Sequence, residues 1–238
     1  MRILLCVTFF VLCVSFRLSA QAFKDPNAYK IERKTLEDFR EDKFVNDGGF
    51  MGGNIKYSEI AGTPYLDKNF TRGKVVILDG TMSDGCLLRY NIYSDQIEHF
   101  DEGKVFELAP KALVKRAELD KHLFTCLKYK VKGKMTDQYF EVLADGKVSL
   151  YKRYTVKYIP PSTTFPYAKT DSAHFSLPAK SIYASKGSNQ LIRIKNGKGL
   201  LKILDDKKSD VKNFITTKRL STDNEDDIKI IIAYYNGL

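Results

Sequence analysis

Tryptophan is absent from these 238 residues, histidine occurs only three times and cysteine four. His99, His122 and His174 have no second histidine or cysteine at ligand spacing, and no His-Glu-x-x-His occurs, so the common zinc signatures are excluded. No Gly-x-Ser-x-Gly elbow is present, which removes one familiar source of a serine nucleophile. A calcium loop needs oxygen ligands at alternate positions and a closing glutamate, whereas Asp79 to Asp84 offers two carboxylates. The glycine run from Gly48 to Gly53 lacks the Lys-Ser/Thr that would make it a phosphate loop, and reads as a joint or close turn. No metal and no cofactor is expected. Long apolar runs are missing too, except at the amino terminus.

That exception sets the compartment. Ile3 to Phe16 contains no charge and is flanked by Arg2 and Arg17. A positive start, a short apolar stretch and small residues afterwards spell a secretory signal peptide over residues 1–20, with a second cleavage point after Ala22. The stretch falls short of the roughly 20 residues of a spanning helix, so the mature chain carries no transmembrane segment. Leu12 before Cys13 does not fit a lipid-modified cysteine. The expected location is periplasmic or secreted.

Export leaves Cys86 and Cys126 as the cysteines of the mature chain. In an oxidising compartment they either form one disulfide or remain as two buried thiols. A bridge closing about 40 residues would stabilise by roughly 4 kcal/mol in the chain-entropy view. The formal charge of +10 includes Arg2 and Arg17, and without those two it is +8. The excess is scattered lysine, which suits a solvated surface or an anionic neighbour such as a lipid head group or polysaccharide. Nucleic acid is not an expected partner outside the cytosol.

Residues 21–59 form a charged, glycine-containing segment in which Thr35 can cap a short helix through Phe39. From 60 to 195 the pattern is that of strands. Leu88, Tyr90 and Ile92 alternate with Arg89, Asn91 and Tyr93, and Leu127, Tyr129 and Val131 alternate with lysines. Asp101-Glu102-Gly103, Asp120-Lys121 and Asp145-Gly146 supply hairpin turns. For the last hairpin a direct register sets Leu143 against Val148 and Phe140 against Tyr151. Residues 196–238 change to helical spacing, with Thr222 and Glu225 spelling a capping box before Ile228, Ile231, Ile232 and Tyr235. The expected fold is α+β: a mostly antiparallel, hairpin-rich sheet, curved or barrel-like, with carboxy-terminal helices packed on it.

The three histidines fall near predicted turns and read as exposed turn residues. Asp84, Asp95, Glu98 and Asp101 gather around one hairpin and read as charged turn residues, since sequence proximity does not make a catalytic pair. Gly62-Thr63-Pro64-Tyr65-Leu66, then Arg89 to Glu98, Tyr139 to Leu143 and the terminal Ala233-Tyr234-Tyr235-Asn236 carry one resemblance. These motifs resemble an uncharacterised family of exported proteins from Gram-negative bacteria, and no catalytic residue comes with the likeness. Arg89, Asn91 and Tyr93 share a strand face and are the candidate ligand-binding residues. The same residues read equally as a turn brace and a partner for a nearby carboxylate. The expected function is an exported noncatalytic binding or structural protein of the bacterial envelope, meeting an envelope protein, polysaccharide or lipid. Its alternatives are a carrier of an apolar ligand, with Phe124, Tyr129, Phe140 and Tyr154 facing one cavity, and a hydrolase assembled only by folding.

Overall fold

The computed structural model describes Tyr57 and residues 60–80, 82–108, 110–161, 172–187 and 190–238. The leader, the short helix from Thr35 and the glycine run from Gly48 lie outside these residues.

Two four-stranded meanders lie side by side. The first comprises β1 (Thr71–Ile77), β2 (Met82–Asn91), β3 (Gln96–Asp101) and β4 (Lys104–Glu107). The second comprises β5 (Val114–Leu119), β6 (His122–Val131), β7 (Lys134–Ala144) and β8 (Val148–Thr155). A two-stranded pair follows, β9 (Tyr158–Ile159) with β10 (His174–Phe175), and then β11 (Ala179–Lys186) and β12 (Ile192–Ile194). The main sheet has ten antiparallel strands in the order β12-β11-β8-β7-β6-β5-β1-β2-β3-β4 and does not close into a barrel. Its topological step is the return of β5 to β1, which sets Val75 against Ala117 and joins the meanders.

Local chemistry explains the tight turns. Glu102-Gly103 and Lys132-Gly133 are two-residue loops with positive φ throughout, the twist-matching geometry of short hairpins. The loop at Asp145-Gly146 differs from expectation. Val142 pairs with Tyr151 and Ala144 with Leu150, so the register shifts by one residue at a bulge between them. The extra residue at Leu143 sets Tyr151 opposite Val142, and Phe140 meets the Tyr151 ring edge-on from the diagonal position at 6.4 Å.

Alternation divides the sheet into two faces. Leu88, Tyr90, Ala117, Phe124 and Tyr139 point into one core with Ile97, Tyr154 and Phe175. Farther along the sheet, Val148, Leu150 and Ala184 meet α1 (Gly197–Ile203), α2 (Lys208–Lys218) and α3 (Glu225–Gly237) through Leu200, Val211, Ile231 and Ile232. The predicted helical face is therefore the buried one. The cap is not the predicted one: Asn224, rather than Thr222, accepts from the Asp226 and Asp227 amides. Glu225 becomes the first helical residue and is freed to pair with Lys152.

Of the two alternatives for Cys86 and Cys126, the structure has two free thiols rather than a bridge. Cys86 stands opposite Gly73, Gly73 opposite Leu119, and Leu119 opposite His122, four residues before Cys126. The two positions are thus separated by three strand spacings of about 4.8 Å and about 13 Å along the strand. A disulfide requires Cα atoms within about 7 Å.

Candidate binding cleft

The outward face of β2 carries Leu87, Arg89 and Asn91, because Leu88 and Tyr90 take the core positions. A strap of chain, residues 60–70, crosses this face. It is held by Leu66 donating to the Tyr90 carbonyl at 3.0 Å and Ile92 donating to the Pro64 carbonyl at 2.8 Å. Ala61 and Phe175 tie its start to β10. Between strap and strands lies a cleft of about 720 Å³ with Ile60, Tyr65, Phe70, Leu87, Phe100 and Val105 in its walls.

Arg89 forms the polar element of that cleft. Its guanidinium lies 3.7 Å from the Tyr65 ring centre and 4.2 Å from that of Phe70. Nη1 donates to the Lys68 carbonyl at 3.0 Å, and Nε and Nη2 both donate to Glu98 Oε2. Glu98 is fully buried, and its second oxygen accepts from Asn91 Nδ2 at 3.0 Å. Asn91 Oδ1 in turn accepts from the Ser94 amide at 3.1 Å. Tyr93 leaves the strand and packs edge-on against Tyr57 and Phe175. Of the three residues singled out by sequence, Arg89 lines the cleft, Asn91 braces the carboxylate and the turn, and Tyr93 supports the strap. Glu98 balances the Arg89 charge within the site, and Lys68 stands exposed at its rim.

No family profile, curated protein or solved structure matches this chain. The site must be read from its own chemistry.

Two further polar clusters lie on the core side, and sequence reading missed both. Asp95, in the left-handed conformation at the β2–β3 turn, accepts from Tyr90 Oη at 2.8 Å and Lys111 Nζ at 2.7 Å. It also receives the Tyr139 amide at 3.3 Å, which ties the first meander's turn to β7. Burial pushes the Asp95 carboxyl above its ordinary range, and the Lys111 and Tyr90 contacts offset part of that. In the second cluster Glu141 meets His122 Nδ1 at 2.8 Å, Tyr154 Oη at 2.6 Å and Lys152 Nζ at 3.0 Å. Lys152 also reaches Glu225 at 2.7 Å and so joins the sheet to α3. Burial acts to raise the Glu141 carboxyl, but its three hydrogen-bond partners together outweigh burial and hold it at about 2.

The histidines are not the exposed turn residues expected of them. His99 lies within β3 opposite Leu88, His122 begins β6 on Glu141, and His174 is half-buried in β10. No group of three or more histidine, cysteine, aspartate or glutamate side chains is arranged to hold a metal among the described residues. The four aromatics that a barrel-like carrier would need do not share a face. Phe124 and Tyr154 belong to the core, whereas Phe140 packs edge-on against Tyr129 and Tyr183 on the other side.

Proposed function

We propose that this chain is an exported, noncatalytic binding protein of the bacterial envelope that takes its ligand in the cleft between the 60–70 strap and β2–β4. The observation that carries the reading is the cleft itself: about 720 Å³, with aromatic and aliphatic walls around one stacked arginine. Small-molecule sites occupy roughly 300–1,000 Å³ and combine apolar walls with a few fixed polar groups. Arg89 is held on both ring faces and by Glu98, so little side-chain entropy remains to be lost when a ligand docks. The walls favour an apolar or lipid-like ligand over a strongly hydrated one, which keeps a carrier as the second reading.

The test is a thermal-shift and calorimetric screen of the secreted protein against envelope lipids and oligosaccharides. Val105→Trp, which fills the cleft from β4, serves as the blocking variant. Binding that disappears in Val105→Trp while the melting temperature holds supports the cleft. Binding that survives the tryptophan places the ligand elsewhere. Sequencing the amino terminus of the protein from the culture medium and the periplasm checks the export step separately.

A further inference from the structure

The stretch from the end of β12 through α1 and the turn after it to the first half of α2 is rich in lysine: Lys195, Lys198, Lys202, Lys207, Lys208 and Lys212 are all exposed. None of the six makes an ion pair with a described residue. The neighbouring acids offset them only in part: the six lysines and Lys186 stand against Asp205, Asp206 and Asp210, a net charge of +4. Asp206 is held by Lys186 at 2.7 Å and by Tyr235 Oη at 3.0 Å, and Asp205 lies 3.4 Å from the same lysine. Asp210 is the remaining carboxylate of the stretch. Asp223, Glu225, Asp226 and Asp227 gather at the start of α3, just after Thr222, which lies against Gly197 at the start of α1, and Lys152, Lys229 and the Ser221 amide engage three of them.

The orientation of the lysines follows from the core. Leu200, Ile203 and Leu204 are buried, so Lys198 and Lys202, one turn apart, stand on the opposite side of α1. Val211 is the buried residue of α2, with Lys208 and Lys212 one turn apart along its flank. No large exposed apolar side chain lies anywhere from 195 to 219. The surface therefore offers charge without anything to insert. It also contains no arginine fork before Arg219 and no exposed aromatic ring, the groups that read individual phosphates or sugars. Compact ammonium groups spread over two helices respond instead to the field of a flat, negatively charged surface.

We propose that this lysine-rich surface of α1 and the start of α2 is a docking surface for anionic lipid bilayers, holding the protein peripherally with its sheet away from the membrane. Each lysine near an anionic bilayer surface strengthens binding by about fivefold, and the attraction fades within a Debye length of about 10 Å at 0.1 M salt.

The test is co-sedimentation of the full secreted chain with vesicles of equal parts phosphatidylglycerol and phosphatidylcholine, against vesicles of phosphatidylcholine alone. The expected result is binding to the anionic vesicles only, weakening steeply with salt. The triple variant Lys198→Glu, Lys202→Glu, Lys212→Glu should bind at least about 100-fold more weakly. A second triple variant, Lys104→Glu, Lys121→Glu, Lys132→Glu, makes the same change in net charge on the sheet turns and should keep its affinity. Glutamine at the three helical positions provides a version free of new charge, and circular dichroism with a melting curve confirms folding. Equal loss in the two glutamate triples would mean that only net charge matters and would overturn the proposal. Binding to neutral vesicles, or preference for soluble dextran sulfate over anionic vesicles, would overturn it as well.

Discussion

Asn236, in the last turn of α3, binds the backbone of Val148 in both directions: its Oδ1 accepts from the Val148 amide at 2.8 Å and its Nδ2 donates to the Val148 carbonyl at 2.9 Å. A side-chain amide thus stands in for a neighbouring strand at the start of β8. It fixes the carboxy-terminal helix to the sheet at the hairpin where the register shifts.

This pairing predicts a coupled effect. Asn236→Ala leaves two backbone groups at the edge of a packed core without their partner and should cost about 1–3 kcal/mol in urea unfolding. A Cβ added at Gly146 would lie 2.5 Å from Asn236 Nδ2, so Gly146→Ala should destabilise by displacing the same amide. The double variant should cost clearly less than the two single costs added together, because the second change finds the contact already gone.

Gly73 permits the junction between the meanders. It sits at the bulge in β1, where an added Cβ would meet the Glu118 carbonyl oxygen of β5 and the Leu88 side chain. The obstruction on one side is backbone in a paired strand and cannot swing away. Gly73→Ala should therefore cost about 3 kcal/mol or more, and Gly73→Val should prevent folded protein from accumulating. Melting curves and the yield of folded protein check this.

Much of the fold could be read from alternation and turn residues. Leu88/Tyr90 and Leu127/Tyr129 announce strands because a half-buried strand repeats every two residues. Ile228, Ile231, Ile232 and Tyr235 announce α3 because a helix repeats every 3.6. The rest depends on contacts between distant residues. Nothing near β5 indicates that it returns to β1, and without that order Cys86 and Cys126 stay plausible partners. The strap over β2 has no periodic signal, so the cleft was invisible even though Arg89 was visible. The Glu141 cluster draws on β6, β7, β8 and α3, and no local motif encodes such a constellation.

The two thiols give a simple chemical test. Burial first, and the nearby Asp137 carboxylate second, push the Cys126 thiol up to about 12. A thiol that stays protonated is a poor nucleophile. Native protein should therefore react slowly with iodoacetamide at Cys126, and unfolded protein should take up label at both cysteines without prior reduction. Dithiothreitol should leave the melting temperature unchanged. A requirement for reductant before labelling would mean that the bridge forms after all.

Acid stability should depend chiefly on Glu141. Its folded carboxyl titrates at about 2, below the ordinary value near 4.5. A depressed acid binds its proton more weakly when folded, so its stabilisation is complete above about pH 4.5 and disappears as pH falls towards 2. Asp95 works in the opposite sense, since its raised carboxyl is favoured in the folded state when protonated. Glu141→Gln keeps the shape but removes the charge facing Lys152, and should cost about 3 kcal/mol at neutral pH. The decisive measurement is the shape of the curve rather than its height. Between pH 5 and 2 the wild type should lose stability faster than Glu141→Gln, and the two curves should converge at the acid end. Parallel curves would show that the network among His122, Glu141, Tyr154 and Lys152 does not couple protonation to folding.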